Sequence, residues 1–488
     1  MLRIVSAPDH QQLHNAAVEH VCRMAKKGVA RQILLVPEQF SFDTEWMLCQ
    51  LGGDTISRYA EVLSFTRLAN RVFAVTGGGA VPTLDQSGRL IAMAGALEQI
   101  RSRLKIYGSH VTKPEFLVKL LDMVDELKSY GVDQSALDRA KGHVTGALGQ
   151  KLEELGLILE TYEALCQGAK QDPASLPDRL REALYACDYA EGRAVTVWGF
   201  TDFTAQELSV LEALLSGADS LTVFLPFDHP TGGQEVYRVP RHTAAQLRRA
   251  AARLQQDVVF AALPDPGGEG ALAHLKRHLF SSSGAVFAQP TDEIILCRAD
   301  SPSQEALYLV GRIQELVLSG CRYRDIAVAC AEPAVYQPEL ENLFARYGIP
   351  GYFSGRQALA TSPVIRGVLS ALEAACCGME LGPVADYLAA GFSGISRDEA
   401  DRLYNYAYVW DLSGRDWERP FALHPDGFGQ KLDEQASERL AGLEALRCKA
   451  ISPLLALKQD ILAAENTGGQ IRALAAFLER QSFDEQLK

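Results

Sequence analysis

Short, uninterrupted apolar runs rich in β-branched residues recur along the chain, and each is followed by a segment with helical periodicity. They lie at residues 33–36, 195–198, 221–225, 294–297 and 326–330. Runs of this length are typical of strands that are buried on both faces, as in a parallel sheet. Because the strands alternate with helices, the sequence predicts an α/β fold class.

Capping residues mark the helix starts after some of these runs. Thr204 and Glu207 have the spacing of a capping box, in which each side chain binds a backbone N–H of the first turn. Ser301 precedes Pro302, which suits the first helical position. Both patterns place a helix directly after a predicted strand.

The predicted strands fall into two groups, and helical segments interrupt or follow each group. Amphipathic patterns dominate between the strand at 33–36 and the strand at 195–198, and a linker precedes the run at 294–297. We predict a first α/β domain at residues 1–83 and 188–285, a helical insertion at 84–187, a second α/β domain at 291–375 and an incomplete helical region at 376–488.

The charge balance limits the kind of nucleic-acid contact that the chain can make. It has 48 basic and 61 acidic side chains, a formal net charge of −13. A protein whose whole surface binds nucleic acid is excluded, because phosphate binding needs clustered lysine and arginine. A local basic channel is not excluded, because the field in a cleft depends on the arrangement of the charges.

Composition also bears on the cellular compartment. No apolar stretch approaches the roughly 20 residues that cross a bilayer, and the first residues lack the apolar core of a secretory signal. The ten cysteines are neither dense nor regularly spaced, which is typical of reduced thiols in the cytosol. We expect a cytoplasmic protein.

Several strings resemble one family. Residues 33–42 read ILLVPEQFSF, residues 60–68 read AEVLSFTRL, residues 199–204 read GFTDFT and residues 323–328 read YRDIAV. They are similar to the N-terminal region of AddB (RexB), the B subunit of bacterial AddAB (RexAB) ATP-dependent helicase/deoxyribonucleases. The resemblance implies the scaffold of UvrD-type superfamily-1 helicases, with two RecA-like parallel-sheet domains that each carry a helical insertion.

The nucleotide position that this resemblance implies lacks the residues that bind ATP. A P-loop needs glycines, a lysine for the β- and γ-phosphates and a hydroxyl for magnesium. The predicted first strand lies at residues 2–5, and residues 6–13 after it contain no glycine. Gln12 stands at the lysine position and Leu13 at the hydroxyl position. Trp198 and Gly199 stand where the resemblance places the magnesium-binding acids, and Ala331 where it places an arginine. We expect a degenerate nucleotide site without ATP hydrolysis, comprising Ser6, Gln12, Leu13, Trp198, Gly199 and Ala331.

The resemblance further implies a partner and a substrate. It implies a heterodimer with an AddA-type helicase–nuclease subunit, acting on DNA in double-strand-break repair and homologous recombination, with this region guiding the strand and recognising the Chi hotspot. The family's nuclease domain, with its iron–sulfur cysteines and metal-binding acids, lies further C-terminal. We therefore expect no catalytic residue, cofactor or metal in this chain. An active ATP-dependent helicase or exonuclease subunit and a pure partner-docking scaffold are the alternatives.

Strand-guiding surfaces combine aromatic stacking with positive charge. The candidate DNA-binding residues near the ends of the predicted strands are Phe40, Ser64, Phe65, Thr66, Arg67, Arg71 and Arg356. The alternative is that Phe65 belongs to the core and that the arginines are solvated. A second basic group, Arg241, Arg248 and Arg249, is interpreted as a solvated helix surface.

Two histidine pairs, His10 with His14 and His274 with His278, have the i, i+4 spacing that lets two imidazoles share zinc. Neither pair has an evident third ligand. We interpret both as surface histidines on amphipathic helices.

Overall fold

The structure is a computed structural model that describes residues 1–77, 79, 82–111, 113–166, 170–228, 234–265, 267–281, 283–354, 359 and 362–481. The chain divides into two compact units, Met1–Leu296 and Cys297–Lys488. Each unit buries apolar clusters of its own.

The first unit alternates strands and helices at its beginning and end and is helical in between. Its strands are β1 (Leu2–Ala7), β2 (Gln32–Leu35), β3 (Ala60–Leu63), β4 (Ala194–Val197), β5 (Ser220–Pro226) and β6 (Val258–Ala262). Its helices are α1 (His10–Lys26), α2 (Ser41–Gly52), α3 (Phe65–Thr76), α4 (Gln86–Ile100), α5 (Pro114–Ser129), α6 (Gln134–Lys141), α7 (Ala147–Cys166), α8 (Leu176–Ala186), α9 (Ala205–Gly217), α10 (Arg238–Arg253) and α11 (Ala271–His278).

The six strands form one parallel sheet in the order β3-β2-β4-β5-β1-β6. The central strands β2 and β4 are buried along their whole length, because helices cover both faces of the sheet. Helices α3, α8, α9 and α10 contribute to the apolar cluster on one face, and α1 and α2 contribute to the cluster on the other. All strands are parallel, so their carboxyl ends meet at one edge, where ligand sites of α/β proteins form.

The predicted α/β fold class is confirmed by this sheet. The apolar runs at 33–36, 195–198 and 221–225 correspond to β2, β4 and β5. Each strand boundary differs from the predicted one by one residue. The Thr204–Glu207 capping box is present at the start of α9. Strand β6 had no counterpart among the predicted runs, and its half-exposed residues lie at the edge of the sheet.

Five helices, α4 to α8, occupy the region that the sequence predicted to be helical. They enclose an ion network around Asp172, which is only 3% exposed. The Asp172 carboxylate lies 3.0 Å from Arg89 Nε and accepts from Lys128 Nζ at 2.9 Å. Arg89 also binds Asp125 and donates to the Tyr162 hydroxyl. The network joins α4, α5 and α7 to the segment before α8.

Among the described residues of the second unit, the regular secondary structure is helical. The α-helices are α12 (Pro302–Leu318), α13 (Pro333–Tyr347), α14 (Pro363–Cys376), α15 (Leu381–Ala389), α16 (Arg397–Val409), α17 (Glu434–Ala463) and α18 (Thr467–Arg480). The largest buried side chains in the core of this unit are Trp417, Tyr387 and Phe477. The proposed division into a second α/β domain and a helical region stays a prediction.

Two strand predictions near this unit are wrong. Residues 294–297 and 326–330 lie outside any strand. Leu296 is 98% exposed and Val328 is 45% exposed. An apolar run becomes a strand only when a neighbouring strand satisfies its backbone groups, and no described segment pairs with either run.

The described helices are too short or too polar to cross a bilayer. The longest, α17, has 30 residues but carries charged side chains along its length. Within the described ranges, none of the helices combines the length and apolarity needed to cross a membrane.

Candidate nucleic-acid interface and nucleotide position

The turn between β1 and α1 is where a nucleotide-binding scaffold would hold phosphates. Here the Asp9 side chain is the N-cap of α1 and accepts from the backbone N–H of Gln12 at 2.8 Å. The Asp9 carboxylate therefore accepts the hydrogen bond of a first-turn N–H group that a bound phosphate would otherwise accept. Ser6 and Leu13 are buried, so neither side chain faces an open site.

The polypeptide after β6 covers this turn. The Gln12 side-chain amide donates to the carbonyl oxygen of Pro264 at 2.6 Å. The Lys276 ammonium lies 2.7 Å from the Asp9 carboxylate and is the main reason that the pKa of Asp9 lies below its usual value. The Asp9 carboxylate and the Gln12 amide NH₂ thus have partners within the chain, whereas the buried Gln12 Oε1 has none among the described residues.

A cluster of four rings, here named the His–Trp cluster, fills the space between α1 and the end of β4. It comprises His10, His14, Phe40 and Trp198. The His14 imidazole stacks on the Trp198 indole with centroids 3.9 Å apart and planes 12° apart. His10 and Phe40 lie 5.4 and 5.3 Å from the same indole. Trp198 is 4% exposed, His14 and Phe40 are half-buried and His10 is exposed, so the cluster extends from the packed interior to the surface.

The His14 ring is half-buried, with one face against Trp198. Burial lowers the pKa of His14, and the neighbouring His10 lowers it further. The hydroxyl of the buried Thr44 lies 3.3 Å from His14 Nε2. The interpretation of His10 and His14 as surface histidines agrees with the exposed His10 and describes His14 only in part.

Gly199 has a structural reason that the sequence did not suggest. Its φ is +91°, in the region that favours glycine. A Cβ at this position would lie 2.8 Å from Pro37 Cδ and 3.1 Å from Phe40. Gly199 thus lets the β4 strand end approach the segment after β2.

Five of the six predicted nucleotide-site residues belong to the first unit. Ser6, Gln12, Leu13, Trp198 and Gly199 all lie in or beside the turn after β1 and the end of β4. Ala331 belongs to the second unit, where it is exposed and lines a cavity of about 640 Å³ with Ala329 and Cys330.

A second group of rings lies at the carboxyl ends of β3 and β4. Phe65 packs edge-on against Phe200 at 5.6 Å, and Phe200 contacts Phe203 at 5.0 Å. All three rings are half-buried. We name Phe65, Phe200 and Phe203 the aromatic edge. Phe200 and Phe203 were not among the predicted site residues, although aromatic residues directly after a buried strand were a usable signal.

The polar candidates beside the aromatic edge have local partners. Ser64 is buried and caps α3 by accepting from the Arg67 backbone N–H at 3.2 Å, and Thr66 is exposed. Arg67 pairs with Glu45 at 2.8 Å and Arg71 with Glu61 at 3.2 Å. The candidate residue Arg356 lies outside the described residues.

Arg67 and Arg71 line an open cleft of about 640 Å³ beside the edge strand β3. Each is 44% or more exposed, and ion pairs with this exposure are weak and screened by salt. An anionic ligand can therefore compete with the glutamates for the guanidinium groups.

The second histidine pair shows no metal-site geometry. His274 and His278 have ring centroids 4.5 Å apart on α11. Across the part of the chain that the structure describes, no group of three or more His, Cys, Asp or Glu side chains is placed to hold a metal ion.

Comparison with known proteins gives a consistent result. The family described as "ADDB, N-terminal" matches residues 14–275. Proteins named as the B subunit of an ATP-dependent helicase/deoxyribonuclease are similar along most of the chain. The Symbiobacterium thermophilum protein is 30% identical over 479 residues, covering 91% of this chain and 40% of the relative. The Desulforudis audaxviator protein is 31% identical over 472 residues, with the same coverages. The chain thus spans about 40% of the length of these relatives.

Proposed function

The chain belongs to the AddB N-terminal family, and from this premise we propose that it is a DNA-guiding module of an AddB-type helicase/deoxyribonuclease subunit and does not hydrolyse ATP. The relatives whose names state that activity are about two and a half times as long as this chain, so DNA binding by this chain is part of the proposal. The aromatic edge at the carboxyl ends of β3 and β4 is the observation that carries it.

The aromatic edge supports a single-stranded ligand. Bases offer apolar faces to half-buried rings, and each stacked base contributes about 1–3 kcal/mol without sequence preference. The exposed Thr66 and Arg67 directly follow Phe65, so a hydroxyl and a guanidinium lie next to the stacking surface. This combination of rings and hydrogen-bond donors suits a strand that passes along the edge.

The turn after β1 supports the absence of ATP chemistry. A triphosphate needs amide donors, a lysine and magnesium-binding acids. The Asp9 carboxylate, the Gln12–Pro264 contact and the His–Trp cluster occupy the corresponding positions. Because a carboxylate repels phosphates and the rings fill the space, we propose that Mg·ATP does not bind here.

The family's iron–sulfur cluster and magnesium do not fit the described residues. No three or more histidine, cysteine or acidic side chains of the described residues are placed together to hold a metal ion. We propose that any such chemistry in the full subunit uses residues outside this chain.

We also propose that the chain binds an AddA-type partner subunit, acts in the cytoplasm in double-strand-break repair and recombination, and takes part in recognition of the Chi hotspot. The chain contributes to these roles by holding DNA rather than by a catalytic residue of its own.

The test is DNA affinity with the aromatic edge altered. The double variant Phe65→Leu/Phe200→Leu keeps apolar volume but loses the stacking faces. The matched control is Phe428→Leu, which alters a ring that is 94% exposed in the second unit. Binding of a labelled oligothymidylate is followed by fluorescence anisotropy at low salt.

We expect the double variant to bind about tenfold more weakly or worse, in line with the loss of one or two stacked bases. The control should bind as the parent does. Equal binding by all three proteins would remove the aromatic edge from the proposal. No binding by the parent, alone or with the partner subunit, would favour the docking-scaffold alternative.

A further inference from the structure

Helix α10 has an unusual charge composition for this protein. Its 16 residues, Arg238–Arg253, include five arginines and a histidine but no acidic residue. The chain as a whole carries a net charge of −13. Positive charge is therefore concentrated on one helix against the general trend.

The arginines lie on the outer side of α10. Its inner side packs on the sheet and on α9 through buried, mostly small or apolar residues, namely Pro240, Thr243, Ala244, Leu247, Ala250 and Ala251. Arg238 pairs with Glu235, Arg241 with Asp228 and Arg253 with Glu212. Arg248 and Arg249 are exposed, and within the described ranges no carboxylate forms an ion pair with either.

Arg248 and Arg249 are adjacent cations, and neither has an acidic residue three or four positions away on α10. An anionic ligand on the outer side would supply the negative charge that the helix itself lacks. The guanidinium group also presents the donor geometry that phosphate oxygens match.

Helix α10 begins on the side of the sheet where the strands have their carboxyl ends, which is also where the aromatic edge lies. It connects β5 to β6, both of which pair in parallel with β1, so it runs from the carboxyl edge of the sheet to the amino edge. The Thr243 hydroxyl donates to the carbonyl oxygen of Thr201 at 3.0 Å, and Thr201 directly follows Phe200. At about 1.5 Å per residue the helix extends roughly 24 Å from that edge.

We infer that the outer side of α10 is a phosphate-binding track for the single strand that leaves the aromatic edge, with Arg248 and Arg249 as its free contacts. This inference rests on the proposed DNA-binding function and extends it to a second surface. An acidic segment of a partner protein is the competing ligand. The buried contact between Thr243 and Thr201 places the first half of α10 beside the segment that follows Phe200, so the outer side begins next to the aromatic edge, which favours the strand.

The experiment compares Arg248→Ala/Arg249→Ala with a charge-matched control, Arg397→Ala/Arg402→Ala, whose arginines are exposed on α16. Thermal unfolding of each variant checks that the fold is retained. Two oligothymidylates are used, of about 5 and about 20 nucleotides, because the short one fills little more than one stacking site. The salt dependence of binding is measured between about 50 and 200 mM salt.

With the long oligonucleotide we expect the slope of log K against log salt to become shallower by about 1.4 in the α10 variant, because each phosphate contact to a single strand contributes about 0.7. The slope of the control variant and the affinity of the short oligonucleotide should not change. If the parent binds DNA and the α10 variant keeps its slope, the track is wrong although the proposed function stands. If the parent binds neither oligonucleotide, the proposed function fails, and the track with it.

Two further outcomes would also overturn the track. An equal change for the short and long oligonucleotides would indicate a general charge effect. Loss of partner binding with unchanged DNA binding would assign α10 to protein docking.

Discussion

The imidazole of His14 lies parallel to the indole of Trp198, with ring centroids 3.9 Å apart and planes 12° apart. One ring belongs to the first helix and the other to the end of β4. The stack fills the space beside the turn after β1, and burial lowers the pKa of His14. This contact is the physical basis for proposing that side chains have replaced a nucleotide at this edge of the sheet.

Removal of the indole should leave a cavity. Trp198→Ala is expected to lower the free energy of unfolding by about 3–5 kcal/mol, as for other buried aromatic residues. Trp46→Ala alters an indole that is 58% exposed and should change it by less than about 0.5 kcal/mol. Urea unfolding measures both. Similar stabilities for the two variants would mean that the His–Trp cluster contributes little to the fold.

The ion network around Asp172 should be essential for the helical segment α4 to α8. Asp172→Asn leaves Arg89 and Lys128 buried without their shared carboxylate, and loss of one partner from a buried pair costs about 3–5 kcal/mol. Glu153→Gln removes an exposed partner of Lys141 and should have little effect, because solvent screens exposed ion pairs. Equal effects in urea unfolding would contradict the structural role of the network.

Glu154 should hold the turn that follows α4. Its buried carboxylate accepts from the backbone N–H groups of Lys105, Ile106 and Tyr107 at 2.8–3.1 Å. Glu154→Gln keeps the shape but loses the charge and one acceptor oxygen, and charge-assisted hydrogen bonds contribute about 1.5–3 kcal/mol. Hydrogen exchange should show faster exchange at residues 105–107 and unchanged exchange in α17. Unchanged exchange at 105–107 would refute the assignment.

His20 should make stability depend on pH. Burial, and then the charges of Arg3, Arg23 and Lys27, lower its pKa from 6.5 to about 4. Below pH 6.5 the unfolded chain takes up a proton that the folded chain resists, so the free energy of unfolding should fall between pH 6.5 and about 4.

The variant His20→Gln should lose that part of the pH dependence, whereas His143→Gln, at an exposed position, should keep it. Urea unfolding at pH 7 and pH 5 gives the comparison. The same pH dependence in both variants would show that His20 does not cause it.

The sequence predicted the sheet where the physical cause is local. The runs at 33–36, 195–198 and 221–225 are apolar throughout because helices cover both faces of β2, β4 and β5. Strand β6 was missed although its residues 258–262 read VVFAA, an apolar run of the same kind. The runs at 294–297 and 326–330 failed because a strand also needs a partner, which composition does not reveal.

The degenerate nucleotide site stays a prediction that rests on the residue types the sequence lacks. The absence of glycine, lysine and acids could be read from Gln12 and Trp198 and their neighbours. The stack of His14 on Trp198 and the ion pair of Asp9 with Lys276 join residues far apart in the sequence. No local pattern specifies such contacts, because they follow from the order of the strands in the sheet.

The most direct test of the account is calorimetric titration of Mg·ATP into the chain with an oligothymidylate bound, together with a phosphate-release assay on the same sample. The account predicts DNA binding, no saturable heat from the nucleotide and no phosphate release above buffer. Saturable Mg·ATP binding, or turnover that disappears when Gln12 or Asp9 is altered, would contradict it.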